Sequence, residues 1–251
     1  MKLFGIEIGG KRGPDEYSRD GVAFQRFDLK GVTLEIPTAL VSPAIRYAID
    51  IGVYEAGEAA MIGDMIRPAD NVLELGTAIG YVTVIAARAA SQGRVVSYEA
   101  NPKLVSVASN NCRINGVNAE VRHALVESGP ERDVSFCVHA DFVSSSAFHS
   151  DGETITVRSR KFRDILAEVR PNVLIVDIEG GEETLFDDAD LSDVRHVVIE
   201  VHPALTGLTG VDKVFRALSA QGLVYDATRS NGPVVTFTRA EAAQPASDRA
   251  A

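Results

Sequence analysis

The chain has 251 residues, 45% of them hydrophobic, enough to bury a full core in one domain with additions. Its formal charge of −10 argues against a general nucleic-acid binder, which needs a basic face toward phosphate. Cys112 and Cys137 match no metal spacing and read as reduced core residues, no apolar run reaches membrane-spanning length, and Met1-Lys2-Leu3-Phe4-Gly5 lacks a leader's apolar segment, so a cytoplasmic location and no membrane partner are expected.

Residues 1–40 mix Gly, charge and isolated aromatics and read as an irregular or short-stranded extension. Ser42-Pro43 marks a helix start, with helices expected over 43–51 and 55–67, the second with Ala59, Ile62 and Ile66 on one face. Pro68-Ala69-Asp70 breaks that helix and leads into a strand over 71–75. Alternation is then regular. A helix over 79–90, a strand over 94–99, a helix from Asn101-Pro102 to Asn115-Gly116 and a weaker strand over 119–123 are expected. Residues 126–160 interrupt the pattern as two strands around a polar loop, an insertion suited to covering a substrate. Helix 161–169, strand 172–178, a short helix near 182–186, strand 195–201 and a helix near 210–219 follow. Two apolar runs around Ser230-Asn231-Gly232 signal a terminal hairpin, and the tail from 240 reads as disordered.

Strands alternating with helices imply an α/β, Rossmann-like fold. Its expected core is a mostly parallel seven-stranded sheet over 41–239, ending in an antiparallel hairpin and carrying the N-terminal extension and the β insertion. The chemistry concentrates in Val72-Leu73-Glu74-Leu75-Gly76-Thr77-Ala78-Ile79-Gly80, where an apolar strand ends in a glycine turn that opens a helix. The next strand finishes on Glu99, positioned to bind ribose hydroxyls. Counted from Gly76, the three glycine positions of a dinucleotide fingerprint hold Gly76, Ala78 and Tyr81, so no diphosphate cradle is spelled out. A short turn led in by Glu74 suits a cationic, phosphate-free nucleoside such as S-adenosylmethionine.

These segments resemble the FkbM family of S-adenosylmethionine-dependent, class I methyltransferases. Val53-Tyr54-Glu55 leading through Leu73–Tyr81 is similar to its first motif, Tyr98-Glu99-Ala100-Asn101-Pro102 to its second, and Val176-Asp177-Ile178-Glu179-Gly180-Gly181-Glu182 to its Asp-x-Glu-Gly-x-Glu segment. Ile199-Glu200-Val201-His202 resembles the ending of its fifth strand. Glu74 stands where Asp is common and Ala100 where Pro is usual. The resemblance spans roughly residues 50–205 and implies O-methylation of a sugar or other small hydroxylated molecule. It also implies cofactor contacts from Glu74, Gly76, Thr77, Ala78, Gly80, Glu99 and Ala100, from Leu125 beside the adenine, and from Tyr54 and Glu55.

Each of these residues also has a plainer use. The glycines could serve packing, Glu99 the N-terminus of the next helix, and Glu74 a loop hydrogen bond. Asp177 and Glu179, two residues apart at a strand end, share a face and are candidates for catalysis or substrate orientation. His202 is the favoured general base, with the two carboxylates fixing the substrate. The same three residues could instead hold a divalent metal, with His139 and Asp141 adding ligands, but no spacing is diagnostic and this use is not favoured. A nicotinamide-dependent oxidoreductase and a methyltransferase-like binding module without catalysis are the competing functions. An exposed N-terminal segment could serve a homodimer contact.

Overall fold

A computed structural model describes residues 15–138 and 153–240, together with the backbone of 2–3 and 6–7. After a short ladder of β1 (Lys2–Leu3) and β2 (Ile6–Glu7), the extension forms an antiparallel sheet of β3 (Asp15–Arg19), β4 (Val22–Leu29) and β5 (Val32–Pro37). Of the two readings of residues 1–40, irregular or short-stranded, the described part takes the second. Both of its turns pair a polar residue with glycine, Asp20-Gly21 and Lys30-Gly31, and all four residues have positive φ, the geometry that matches the twist of a two-residue hairpin. The outer edge of β5 is closed by a helix. Thr33 and Glu35 donate their N–H groups to Asn115 Oδ1 and Asn111 Oδ1 at 3.0 and 2.8 Å, and Asn115 Nδ2 donates to Thr33 O at 2.7 Å.

Helices α1 (Pro43–Ile51) and α2 (Ala56–Ile62) lead to the main sheet. Ser42 caps α1 by accepting the Ile45 N–H. Helix α2 stops at Ile62, short of the expected 67, because Gly63 and Asp64 turn the chain and the N–H groups of Met65 and Ile66 both fold back onto Ile62 O. Then come β6 (Asn71–Leu75), α3 (Tyr81–Ala89), β7 (Arg94–Glu99), α4 (Pro102–Ile114) and β8 (Glu120–His123). The insertion is a second small sheet in which β9 (Leu125–Glu127) lies parallel to β11 (Glu153–Lys161), and β11 antiparallel to β10 (Asp133–Val138). The polar loop expected between its strands lies outside the described residues, as does the tail from 241.

Helix α5 (Phe162–Val169), β12 (Val173–Val176), α6 (Glu182–Leu185), β13 (His196–Glu200), α7 (Pro203–Ala220), β14 (Leu223–Tyr225) and β15 (Val234–Arg239) complete the chain. Helix α7 is interrupted at Gly207, so the expected 210–219 segment is its regular second part. The main sheet runs β14-β15-β13-β12-β6-β7-β8, parallel except where β15 pairs with its two neighbours. Successive strand residues alternate between two buried faces. Val72, Val95, Ile175 and Val198 meet α1–α4 and β5, whereas Leu73, Val96, Leu174 and Val197 meet α5–α7. The chain leaves β6 toward β7 on one side and returns to β12 on the other. A crevice opens beyond the ends of these two strands, where α/β sheets bind ligands.

Candidate functional site

At that crevice β6 and β12 are pressed together. A Cβ on Gly76, whose φ is +82°, would lie 1.7 Å from Asp177 O, so only glycine fits. A cavity of about 760 Å³, within the range of small-ligand sites, lies beyond the strand ends. Gly76, Ala78, Glu99, Ala100, Leu125, Tyr54, Glu55, Asp177, Glu179 and His202 all border it. Three of its non-glycine residues, Glu55, Ala78 and Glu179, have positive φ (44°, 45° and 52°), backbone strain of the kind that collects around binding sites.

Glu99 closes the turn after β6. Its Oε2 accepts the N–H groups of Thr77 and Ala78 at 3.2 and 2.9 Å, and its Oε1 that of Asn101 at 2.8 Å. Burial raises its pKa despite these donors. The helix-terminus role and a place at the cavity wall therefore coexist in one side chain. Thr77 and Gly80 belong to the frame of the turn and do not border the cavity: the Thr77 hydroxyl donates to Tyr98 O, and Gly80 lets α3 pack on Ala108, which a Cβ would meet at 3.0 Å.

Glu74 faces away from the cavity. Its side chain points into the layer beneath α3, is 1% exposed, and its Oε2 accepts the hydroxyls of both Thr83 and Ser97. Burial pushes its pKa from 4.5 to about 7. The acid before the glycine turn is thus a core group and touches no part of the cavity.

The opposite wall is acidic. Asp177 and Glu179 do converge, but not as neighbours on one strand face: β12 ends at Val176 and the left-handed Glu179 turns the chain. His202 Nε2 lies 3.6 Å from Asp177 Oδ1 and 3.4 Å from Glu179 Oε2, while Nδ1 lies 2.8 Å from Glu182 Oε1. Burial alone would lower the imidazole pKa, but the Glu182 hydrogen bond and the charges of Glu182, Asp177 and Glu179 carry it up to about 9. Asp177 is raised by burial and by Glu200. Glu200, raised to about 7 by burial and by Glu58, borders the same cavity, as does Glu58 itself.

Glu58 and Glu200 were not expected. Glu200 stood in a quoted motif, two residues before His202, but Glu58 carries no local signal because only the packing of α2 brings it here. Arg132, Val134 and Phe136 of the insertion also form part of the wall. Ligand atoms of Asp177, Glu200 and His202 lie within 4.8 Å of one another, so the geometry for a shared cation uses Glu200 where the motif suggested Glu179. His139 and Asp141 lie outside the described residues.

The model of the FkbM methyltransferase domain matches residues 74–224. No curated protein matches the chain significantly. Among solved structures, an O-methyltransferase from Bacillus cereus in complex with SAH is 18% identical over 80% of this chain and 84% of its own, with a TM-score of 0.46. A precorrin-6y C5,15-methyltransferase from Geobacter metallireducens is 12% identical over 74% and 88%, with a TM-score of 0.43. Both are too distant to speak for a substrate.

Proposed function

We propose that this chain, which belongs to the FkbM methyltransferase domain family, uses S-adenosylmethionine to methylate a hydroxyl group of a small molecule or sugar. The observation that carries this is the pairing, in one cavity, of a carboxylate-closed glycine turn with an acid-flanked histidine. The lining fits a cationic nucleoside. Glu55, Glu58, Asp177, Glu179 and Glu200 all border the cavity, and a cleft lined by one sign of charge favours a ligand of the other.

When bound, S-adenosylmethionine supplies a methyl group on a sulfonium, which leaves as a neutral thioether when the acceptor oxygen takes the carbon and the C–S bond breaks. Glu99 would accept ribose hydroxyls from the tip of β7, with Ala100 and Leu125 beside the base. His202 Nε2 takes the proton of the acceptor hydroxyl, and Asp177 and Glu179 hold the acceptor against it. A positive charge brought near His202 disfavours the imidazolium, so a loaded site has the freer base. Positioning and base help of this kind are worth about 7–11 kcal/mol and about 10²–10⁴-fold.

Calorimetric titration with S-adenosylhomocysteine, repeated on Glu99→Ala, tests the cofactor. Micromolar binding that the variant loses while staying folded supports the reading, and absence of binding to the folded wild type sinks it. Turnover that survives a chelator is expected, and its loss with rescue by a divalent ion would move the chemistry to a metal.

A further inference from the structure

Among the described residues, Glu182 is the one acid touching His202 that does not border the cavity. It opens α6 with its side chain 2% exposed, behind the histidine. Both carboxylate oxygens accept the Gly180 N–H, at 3.1 and 3.0 Å, and Oε1 also meets His202 Nδ1 at 2.8 Å. An ionised carboxylate only accepts, so the shared hydrogen sits on Nδ1.

The backbone of His202 is fixed separately. Its carbonyl accepts the N–H groups of Leu205 and Thr206 and the Thr206 hydroxyl, which ties it to the first turn of α7. What remains free is the rotation of the ring, and Glu182 sets it. Around the other edge stand Asp177 and Glu179 from the loop after β12, Glu200 from β13 and Glu58 from α2, all facing the cavity.

We infer that Glu182 is a positioning residue for the methyl transfer proposed above. It holds the His202 imidazole with hydrogen on Nδ1, so that Nε2 is the atom presented to the acceptor hydroxyl. The catalytic meaning rests on that proposal, but the tautomer does not. A carboxylate behind a histidine is a recurrent way to keep a base in its working tautomer. The Asp-Ile-Glu-Gly-Gly-Glu segment thereby acquires a division of labour: its first two acids face the cavity and its third holds the base from behind.

The test is ¹⁵N NMR of the histidine side chains in the whole protein, without cofactor or substrate. With five histidines in the chain, the His202 signal is identified by its loss in His202→Gln. At a pH well above 9, where the imidazole is neutral, wild type and Glu182→Gln, whose amide oxygen can still accept, are expected to show His202 with hydrogen on Nδ1. Glu182→Ala is expected to lose that preference, with kcat lowered about 10²-fold and S-adenosylhomocysteine affinity held within about twofold. If Glu182→Ala does not fold, Glu182→Asp is read in its place, since it keeps an acid at the head of α6 but draws it one methylene away from Nδ1. A folded Ala or Asp variant that keeps the Nδ1–H signature overturns the inference. Failure of the wild type to bind S-adenosylhomocysteine is a separate result and counts against the proposed function alone.

Discussion

Glu74→Gln should stabilise this protein, and increasingly so as the pH rises. The carboxyl is buried, and both of its hydroxyl donors, Thr83 and Ser97, meet the same oxygen, so a glutamine oxygen can take over both bonds. What the substitution removes is the cost of ionising a buried acid. A folded pKa of about 7 against an ordinary 4.5 is worth about 3 kcal/mol, at 1.36 kcal/mol per pH unit. The sign follows from the direction of the shift. A raised carboxyl adds stability that is fully present below about 4.5 and lost as the pH climbs through about 7, where the folded protein must ionise it. Glutamine does not titrate, so the gain should be about 1 kcal/mol at pH 5 and about 3 kcal/mol at pH 8. Urea denaturation at both pH values, with equal m-values, measures it. A gain independent of pH, or a loss at pH 8, would refute the account of a buried, reluctantly charged acid. A tenfold loss of S-adenosylhomocysteine affinity in the same variant would return Glu74 to the cofactor.

Three other outcomes are expected. Gly76→Ala forces a left-handed alanine into Asp177 O and should cost more than about 2 kcal/mol, read by urea denaturation, with cofactor binding lost in whatever folds. Asn111→Ala strands the buried Glu35 N–H and Ile79 O and should cost about 2–5 kcal/mol, with faster hydrogen exchange at the Glu35 amide. With His202 as base, log kcat/KM should rise with unit slope through neutral pH and level off near 9, and the rise should vanish in His202→Gln. A flat profile would remove the histidine from proton transfer.

The regular alternation of strands and helices from 71 to 220 was legible because each element carries its own period and its own stop signals. Asn101 before Pro102 and the apolar stripe of Phe162, Ile165, Leu166 and Val169 are local facts. The extension was less legible, although Asp20-Gly21 and Lys30-Gly31 are short-range hairpin signals. Its first strand, Asp15–Arg19, is largely exposed and carries no apolar period, whereas Phe27 and Leu29 and then Val32, Leu34 and Ile36 do alternate along the next two. In the site, the glycine turn and Glu99 could be read from spacing, whereas the direction of a side chain could not. Glu74 sits one residue before Leu75 on a strand buried on both faces, and only the hydroxyls of Thr83 and Ser97 show which way it points. Glu58 reaches the cavity through the packing of α2 near β13, a contact made far along the chain that no window of sequence contains.

The asparagine seam between β5 and α4 has a kinetic consequence. Alternate amides along a strand and residues four apart on a helix are spaced alike, about 6–7 Å, so α4 offers β5 what another strand would offer. Only a wound helix has that spacing. Asn111 and Asn115 can therefore receive Thr33 and Glu35 only after α4 exists, and Asn111 also grips Ile79 O in the turn below. Pulse-labelled hydrogen exchange during refolding should find the amides of Thr33 and Glu35 protected later than those of α4, and simultaneous protection would disprove this order. Although β5 precedes α4 in the chain, its outer edge is then among the last parts to find its place.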